Sequence, residues 1–133
     1  MAEKLKILIA EDEEVTRQLL QIAFRDGEQF EVRVVSDGEQ ALVAFKEWQP
    51  DILLMDIMMP HMNGFTALKA IRQTLKDMST TVIMVSSVTD KQDIVACVKL
   101  GIQGYVLKPF EVKTLAATVV GYHQKHKKVT KVS

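Results

Sequence analysis

The sequence predicts a doubly wound α/β domain, in which a parallel sheet carries helices on both faces. Short runs dense in Ile, Leu, Val and Met, at 6–10, 52–55 and 81–85, read as strands buried on both sides, the habit of parallel sheets. These runs alternate with longer stretches whose apolar residues recur at helical spacing. Turn and capping residues punctuate the alternation, among them Pro50, Gly64 and Gly101. With 133 residues, 47% of them hydrophobic, the chain suits one domain burying roughly two-thirds of its unfolded surface and leaves no room for a second.

Lys6-Ile7-Leu8-Ile9-Ala10 is the first strand, and Glu11-Asp12-Glu13-Glu14 follows it at once. The first helix is expected to bury Val15, Leu19, Ile22 and Ala23, with Gly27 beyond its end and acids in its first turn suiting the dipole. Glu31-Val32-Arg33-Val34-Val35 alternates more, as an edge strand with one wetter face does. Ser36 and Glu39 match a capping box for a second helix burying Ala41, Leu42, Phe45 and Trp48 and closed by Pro50.

Ile52 to Met55 is a fully buried third strand with Asp56 at its tip. Pro60 breaks the chain, and Asn63-Gly64 opens a third helix with Phe65, Leu68, Ile71 and Leu75 inward. Thr81 to Val85 is the fourth strand, ending at Ser86-Ser87. Thr89 and Gln92 suggest a capping box for a fourth helix burying Ile94, Val95 and Val98 and ending near Gly101. Gly104 to Leu107 is a short fifth strand before Lys108-Pro109-Phe110, and the last helix places Val112, Leu115, Ala116 and Val119 at core spacing. Right-handed crossovers then give a single flavodoxin-like (βα)5 domain with a parallel five-stranded sheet in the order 2-1-3-4-5.

Composition narrows the function classes. Lys+Arg and Asp+Glu are 17 each, so the formal net charge is zero and no overall field draws the chain to nucleic acid or an anionic membrane. The single cysteine, Cys97, cannot form an internal disulfide and reads as a small packed residue; no Cys/His metal spacing, signal peptide or membrane span is visible. A cytoplasmic protein with a small ligand or protein partner is expected. The segment 123–133 is basic, with Lys125, Lys127, Lys128 and Lys131, and reads as a charged helix end or the start of a linker. Without aromatic interleaving it is not expected to bind nucleic acid directly.

In the expected topology the tips of strands one, three, four and five share one edge, bringing together Glu11, Asp12, Asp56, Ser86 and Lys108. Three crowded carboxylates repel unless a cation offsets them, and an oxygen-only donor set favours a hard divalent ion, Mg2+ above all. Lys108 can pair with Asp56 or with a phosphoryl oxygen on it, and Ser86 adds a hydroxyl donor. The set describes phosphoryl transfer to a carboxylate nucleophile, which needs no general base because it is already ionised.

Four segments carry a resemblance. Ile7-Leu8-Ile9-Ala10-Glu11-Asp12, Leu54 to Pro60 with Met62-Asn63-Gly64, Val85-Ser86-Ser87, and Gly104 to Phe110 resemble, in order and spacing, the response-regulator receiver domain of two-component signalling. The resemblance spans about residues 5–122, giving a receiver (phosphoacceptor) domain at 1–122 and a basic tail at 123–133. It implies that Asp56 accepts phosphate from a sensor histidine kinase or histidine phosphotransfer protein. Glu11, Asp12, Asp56 and the backbone carbonyl of Met58 would hold Mg2+, and Ser86 and Lys108 would bind the phosphoryl group. Tyr105 matches the switch aromatic that moves with Ser86 and alters the surface of helix 4, strand 5 and helix 5. Pro109 matches a lysine-proline peptide that is generally cis. The output would be a downstream protein or a further domain, and the chain a monomer or a phosphorylation-linked dimer.

The chain departs from the family pattern at two site positions. Glu11 stands where many members have Asp, so its longer side chain would reach a metal through water; Ser86 stands where Thr is usual, losing a methyl that would tighten coupling to Tyr105. Met58 and Val88, each two positions beyond a site residue, cannot orient an attacking water, which predicts slow self-dephosphorylation.

Plainer readings stand beside these. Glu13 and Glu14 suit a solvated helix start, Ser87 is one register step from Ser86, Tyr105 reads equally as a packed aromatic, and His61 as an exposed loop residue. Competing functions are a Mg2+-dependent aspartyl phosphatase, an enzyme that would want a second acid where Met58 stands; a flavin module, whose phosphate the acids at 11–14 would repel; and a receiver-like scaffold that is never phosphorylated. The expectation is a switch that transfers phosphate onto its own Asp56 and is not an enzyme acting on an external substrate.

Overall fold

Five strands, all parallel, pair in the order β2-β1-β3-β4-β5 in a computed structural model that describes residues 3–132. The elements run β1 (Leu5–Ala10), α1 (Glu14–Ala23), β2 (Phe30–Val35), α2 (Gly38–Trp48), β3 (Ile52–Met55), α3 (Gly64–Lys69), β4 (Thr81–Ser86), α4 (Lys91–Leu100), β5 (Gly104–Leu107) and α5 (Val112–Val132). This is the expected flavodoxin-like domain in the expected strand order. Met1, Ala2 and Ser133, which fall in the expected domain and tail ranges, lie outside the described residues.

Each sheet face covers a separate core. On one side Leu8, Leu53, Met55, Val82 and Met84 meet Ala41, Phe45 and Trp48 of α2, Ala67 and Leu68 of α3, and Cys97 of α4. On the other, Ile7, Ile9, Ile52, Leu54, Ile83 and Val85 meet Leu20 of α1 and Leu115 and Val119 of α5. Alternate residues of β1, β3 and β4 thus feed opposite cores, which is why those strands read as continuous apolar runs.

Two helices turn a different face inward from the one their apolar spacing suggests. In α1, Thr16 and Leu20 are buried, followed by Phe24, while Val15 (62%), Leu19 (39%) and Ile22 (47%) are exposed. Two apolar stripes one residue apart compete there, and the edge-on contact of Phe24 with Phe30, centroids 5.1 Å apart, goes with the second. In α4 the buried residue is Cys97, with Val95 and Val98 exposed.

Both helix caps fall one residue beyond the expected Ser36 and Thr89. Asp37 caps α2, accepting from Gln40 N at 2.8 Å, while Gln40 Oε1 accepts from Ser36 N at 2.9 Å. Asp90 caps α4, accepting from Gln92 N at 2.8 Å. Asp competes well with Ser or Thr for this position, so the two adjacent candidates were ambiguous in sequence.

The third helix does not stay α-helical: Ala70–Thr74 forms a π-helical turn. It carries Arg72, whose buried guanidinium donates to the backbone oxygens of Gly101 (2.9 Å), Asp77 (2.9 Å) and Thr80 (3.0 Å) and to Gln103 Oε1 (3.1 Å). One side chain thereby ties the ends of α3 and α4 to the connections entering β4 and β5.

Helix α5 runs unbroken past the expected boundary at 122. His123 is buried with Nδ1 2.7 Å from Thr81 Oγ1, and His126 Nε2 and Lys127 Nζ approach Ser79 O at 3.0 and 3.2 Å. The basic segment therefore docks on the approach to β4 as helix, at least through Lys127.

Burial, then the nearby Lys127, hold the His123 imidazole below its ordinary pKa of 6.5, with Asp51 opposing and His126 adding to the depression. The unfolded chain then binds the extra proton between the two pKa values, so stability is full above 6.5 and falls as pH drops through it. We expect His123→Gln to flatten this acid loss in urea titrations between about pH 7.5 and pH 5.5 and to cost about 1 kcal/mol at the upper end. Equal slopes in both proteins would refute the assignment.

Candidate functional site

The site lies where the sheet order reverses, at the carboxyl ends of β1 and β3. Ala10 pairs with Met55, so the next residues, Glu11 and Asp56, leave the sheet side by side. Asp56 N still donates to Ala10 O at 3.1 Å, and Glu11 N to Val35 O at 3.0 Å, fixing both backbones as the strands end. Ser86 pairs with Leu107, and Lys108 N donates to Ser86 O at 3.0 Å. Four strand tips thus deliver four site residues through backbone register.

Local contacts refine the placement. Gly64 N donates to Ile57 O at 2.8 Å, and a Cβ on Gly64 would collide with the Asp56 carbonyl, so only glycine lets α3 start this close. Asn63 caps that helix, accepting from Thr66 N at 2.8 Å. Arg17 Nη1 donates to the Glu11 and Asp12 carbonyls at 3.0 and 2.9 Å, clamping the acidic turn to α1. Nothing in the sequence pattern marked Arg17, although it stands one helical turn beyond the acids. The Lys108-Pro109 peptide is cis, as the resemblance implies.

The central contact is Lys108 Nζ, 2.6 Å from both Glu11 Oε1 and Asp56 Oδ2. Asp56 Oδ1 accepts from Met58 N at 3.2 Å, and Glu11 Oε2 from Glu13 N at 3.1 Å. Glu11 is only 1% exposed and Asp56 is buried, whereas Asp12 is exposed. One ammonium therefore faces two buried carboxylates. Burial raises the Glu11 carboxyl above the usual 4.5, more than the Lys108 and Glu13 contacts lower it. Burial also works against the charged Lys108, but its bonds to Asp56 and Glu11 outweigh that and hold it above the usual 10.5. Both shifts fit a cation outnumbered by its partners.

Glu11, Asp12 and Asp56 each offer a carboxylate oxygen, all within 4.8 Å of one another. An all-oxygen set with an exposed member suits a hard divalent cation that keeps part of its water. Glu11, Asp12, Asp56 and Lys108, expected at the strand tips, are thus together, and Ser86 adjoins them through the backbone bond from Lys108 N.

Ser86 rather than Ser87 faces inward: it is fully buried and Ser87 exposed. Its Oγ accepts from Val88 N at 3.2 Å, while Tyr105 OH donates to Val88 O at 2.7 Å. The Val88 backbone therefore links the hydroxyl and the aromatic, a connection visible only in three dimensions. Desolvation raises the Tyr105 phenol further above 10.0, so it remains a donor at neutral pH. Met58 is exposed, and with Val88 it lines one recess that also includes Phe65 and Cys97. His61 is an exposed loop residue with φ of 65°.

Comparisons agree with this geometry. The family model described as "Response regulator receiver domain" matches residues 7–120. The DNA-binding response regulator MtrA of Mycolicibacterium smegmatis is 38% identical over 114 residues, covering 86% of this chain and 48% of that protein. The transcriptional regulatory protein CseB of Streptomyces avermitilis is 38% identical over 120 residues, covering 90% and 49%. The chain thus spans about half the length of the curated relatives it matches. Among solved structures, the chemotaxis response regulator CheY4 of Vibrio cholerae superposes with a TM-score of 0.81 at 28% identity, covering 90% of this chain and 99% of that one.

Removing the lysine leaves two buried carboxylates facing one another. Breaking a buried pair costs about 3–5 kcal/mol, so at this partly open site Lys108→Met should lose about 1–3 kcal/mol at neutral pH without metal. That loss should shrink towards about pH 5, as protonation of Glu11 removes the repulsion. Urea unfolding at the two pH values checks it; an unchanged stability would mean the bridge does not form in solution.

Proposed function

The chain belongs to the response-regulator receiver family of two-component signalling, and from that premise we propose that Asp56 is its phosphoacceptor and Mg2+ its resident ion. The observation that carries the reading is the shared contact of Lys108 Nζ with Asp56 and Glu11, both 2.6 Å away, beside Asp12. An ionised carboxylate, a cation site and a mobile ammonium are what phosphoryl transfer to an aspartate requires.

The donor is a phosphohistidine on a sensor kinase or a histidine phosphotransfer protein. An Asp56 carboxylate oxygen forms the new bond to phosphorus while the P–N bond breaks, its electron pair returning to the imidazole nitrogen. Glu11, Asp12, Asp56 and the Met58 carbonyl are the groups that would hold the ion. Bound there, Mg2+ would supply positive charge for the phosphoryl oxygens. Lys108 supplies a second positive charge, and Ser86 a hydroxyl donor. Asp56 receives one phosphoryl group and turns over no external substrate, so the protein is a switch and not an enzyme in the usual sense.

The signal leaves through the Val88 backbone. A phosphoryl group drawing Ser86 Oγ breaks its bond with Val88 N, and the same residue's carbonyl holds Tyr105 OH. Tyr105 lies on β5, so the change reaches the face shared by α4, β5 and α5, where a downstream protein or an attached output domain reads it. Among the described residues no helix is long and apolar enough to cross a membrane, and a cytoplasmic location follows from the proposed partners. The DNA binding named for MtrA would rest with the part of such proteins that this chain does not match, so no direct nucleic-acid contact by this domain is proposed.

Intact-mass analysis after incubation with acetyl phosphate and Mg2+ should show one added phosphoryl group, absent in Asp56→Asn and without the metal. An unmodified wild-type protein would favour the non-phosphorylated scaffold, and steady release of alcohol from phosphate esters the phosphatase. The phosphorylated form should decay slowly, since Met58 and Val88 offer an attacking water no polar partner. A Met58→Asn, Val88→Glu double variant should lose phosphate about tenfold faster or more, as a positioned general base allows; an unchanged decay would contradict that role.

A further inference from the structure

Among the described residues two methionines reach solvent, Met58 at 65% exposure and Met78 at 57%, while Met55, Met59 and Met84 are buried and Met62 is half-buried. Met58 stands two residues beyond the phosphoacceptor, and its N donates to Asp56 Oδ1 at 3.2 Å. With Val88, whose N donates to Ser86 Oγ at 3.2 Å, it lines a recess of about 280 Å3. Two backbone bonds thus anchor the recess walls to Asp56 and Ser86, and one wall is a solvent-washed thioether. Resting on the receiver reading, we propose that Met58 is a redox-sensitive modification site: a hydroperoxide converts its thioether to the sulfoxide, which shortens the life of the phosphoryl group on Asp56.

The sulfur lone pair attacks the terminal peroxide oxygen. An S–O bond forms, the O–O bond breaks, and the departing oxygen takes the proton that the transferred one loses, leaving as water or an alcohol. Sulfur is oxidised by two electrons and the peroxide reduced by two, and a thiol-dependent reductase reverses the step. Exposure decides which methionine reacts, because a sulfur enclosed by side chains does not meet the oxidant. Cys97, the other sulfur lining the recess, is fully buried; burial, then the charge of Asp93, raise its thiol above 9.0, so little thiolate forms at neutral pH. The oxidised side chain is polar, and its oxygen accepts hydrogen bonds far better than a thioether does. A water in the recess then has an acceptor for one O–H at the wall where Met58 and Val88 otherwise offer none. Held there, it attacks phosphorus as the P–O bond to Asp56 breaks, whose electron pair returns to the carboxylate. One proton of the water stays on the released phosphate and the other leaves to solvent, so the sulfoxide orients the water and is not consumed.

Met78 supplies an internal control, comparably exposed on the connection entering β4 and outside the recess. The full chain, as Met78→Leu and separately as Met58→Leu, is treated with dilute hydrogen peroxide, freed of it with catalase, and phosphorylated with acetyl phosphate and Mg2+. Peptide mass mapping locates the added oxygen, and intact mass follows loss of the phosphoryl group. Met78→Leu should gain one oxygen, at Met58, and then lose phosphate about threefold faster than its untreated form, the scale of one neutral hydrogen bond. Methionine sulfoxide reductase should restore the slow decay. Met58→Leu should gain its oxygen at Met78 and decay at one rate, treated or untreated. Equal decay of the oxidised and untreated Met78→Leu chains, or oxidation of a buried methionine before Met58, would overturn the inference and leave the receiver reading standing. No phosphoryl group on the untreated wild type would sink both.

Discussion

A single lysine ammonium held against two buried carboxylates is the contact on which the functional half of this molecule depends. Glu11 and Asp56 leave neighbouring strands at the point where the sheet order reverses, and without a cation between them their burial would be opposed by repulsion. Lys108 supplies that cation from β5, two strands away from β3, at 2.6 Å from each. Because it is shared, it satisfies neither carboxylate fully. The buried carboxylates thereby share one cation and, with Asp12, still offer three carboxylate oxygens within 4.8 Å of one another.

The rest of the fold makes that contact reproducible. Glu11, Asp56, Ser86 and Lys108 stand at or just beyond strand ends whose last backbone bonds are made to a neighbouring strand, so the two buried carboxylates and the lysine are set by sheet register rather than by flexible loops. The close approach of Gly64 to the Asp56 carbonyl and the Arg17 clamp on the acidic turn remove the remaining freedom. At the opposite edge, Arg72 and the His123–Thr81 pair fasten the helices without touching the chemistry.

Much of this was legible in the chain. The three central strands announce themselves because burial on both faces demands unbroken apolar runs, and the site residues announce themselves because each stands immediately after such a run. What the sequence hid was decided by competition between near-equal alternatives. Val15, Leu19 and Ile22 form as good a helical stripe as the one containing Leu20 and Phe24, and they are separated by contacts distant in sequence, of Leu20 with the sheet and α5 and of Phe24 with Phe30. Asp37 and Asp90 took caps that Ser36 and Thr89 also fitted. The π-turn at Ala70–Thr74 and the bonds of Arg72 have no local signature, since their partners lie up to 31 residues away. The Val88 link between Ser86 and Tyr105 runs through backbone atoms, to which residue identity is silent.

The Lys108 bridge can be observed directly by following its 13Cε resonance through an alkaline titration of the metal-free protein. Bonds to Asp56 and Glu11 raise its pKa, so the lysine should titrate above the ordinary 10.5. Its contribution to stability should be present below that value and lost only as pH rises through the shifted one. Titration at or below 10.5 would contradict the account, because a lysine buried without two carboxylate partners gives up its proton more easily, not less.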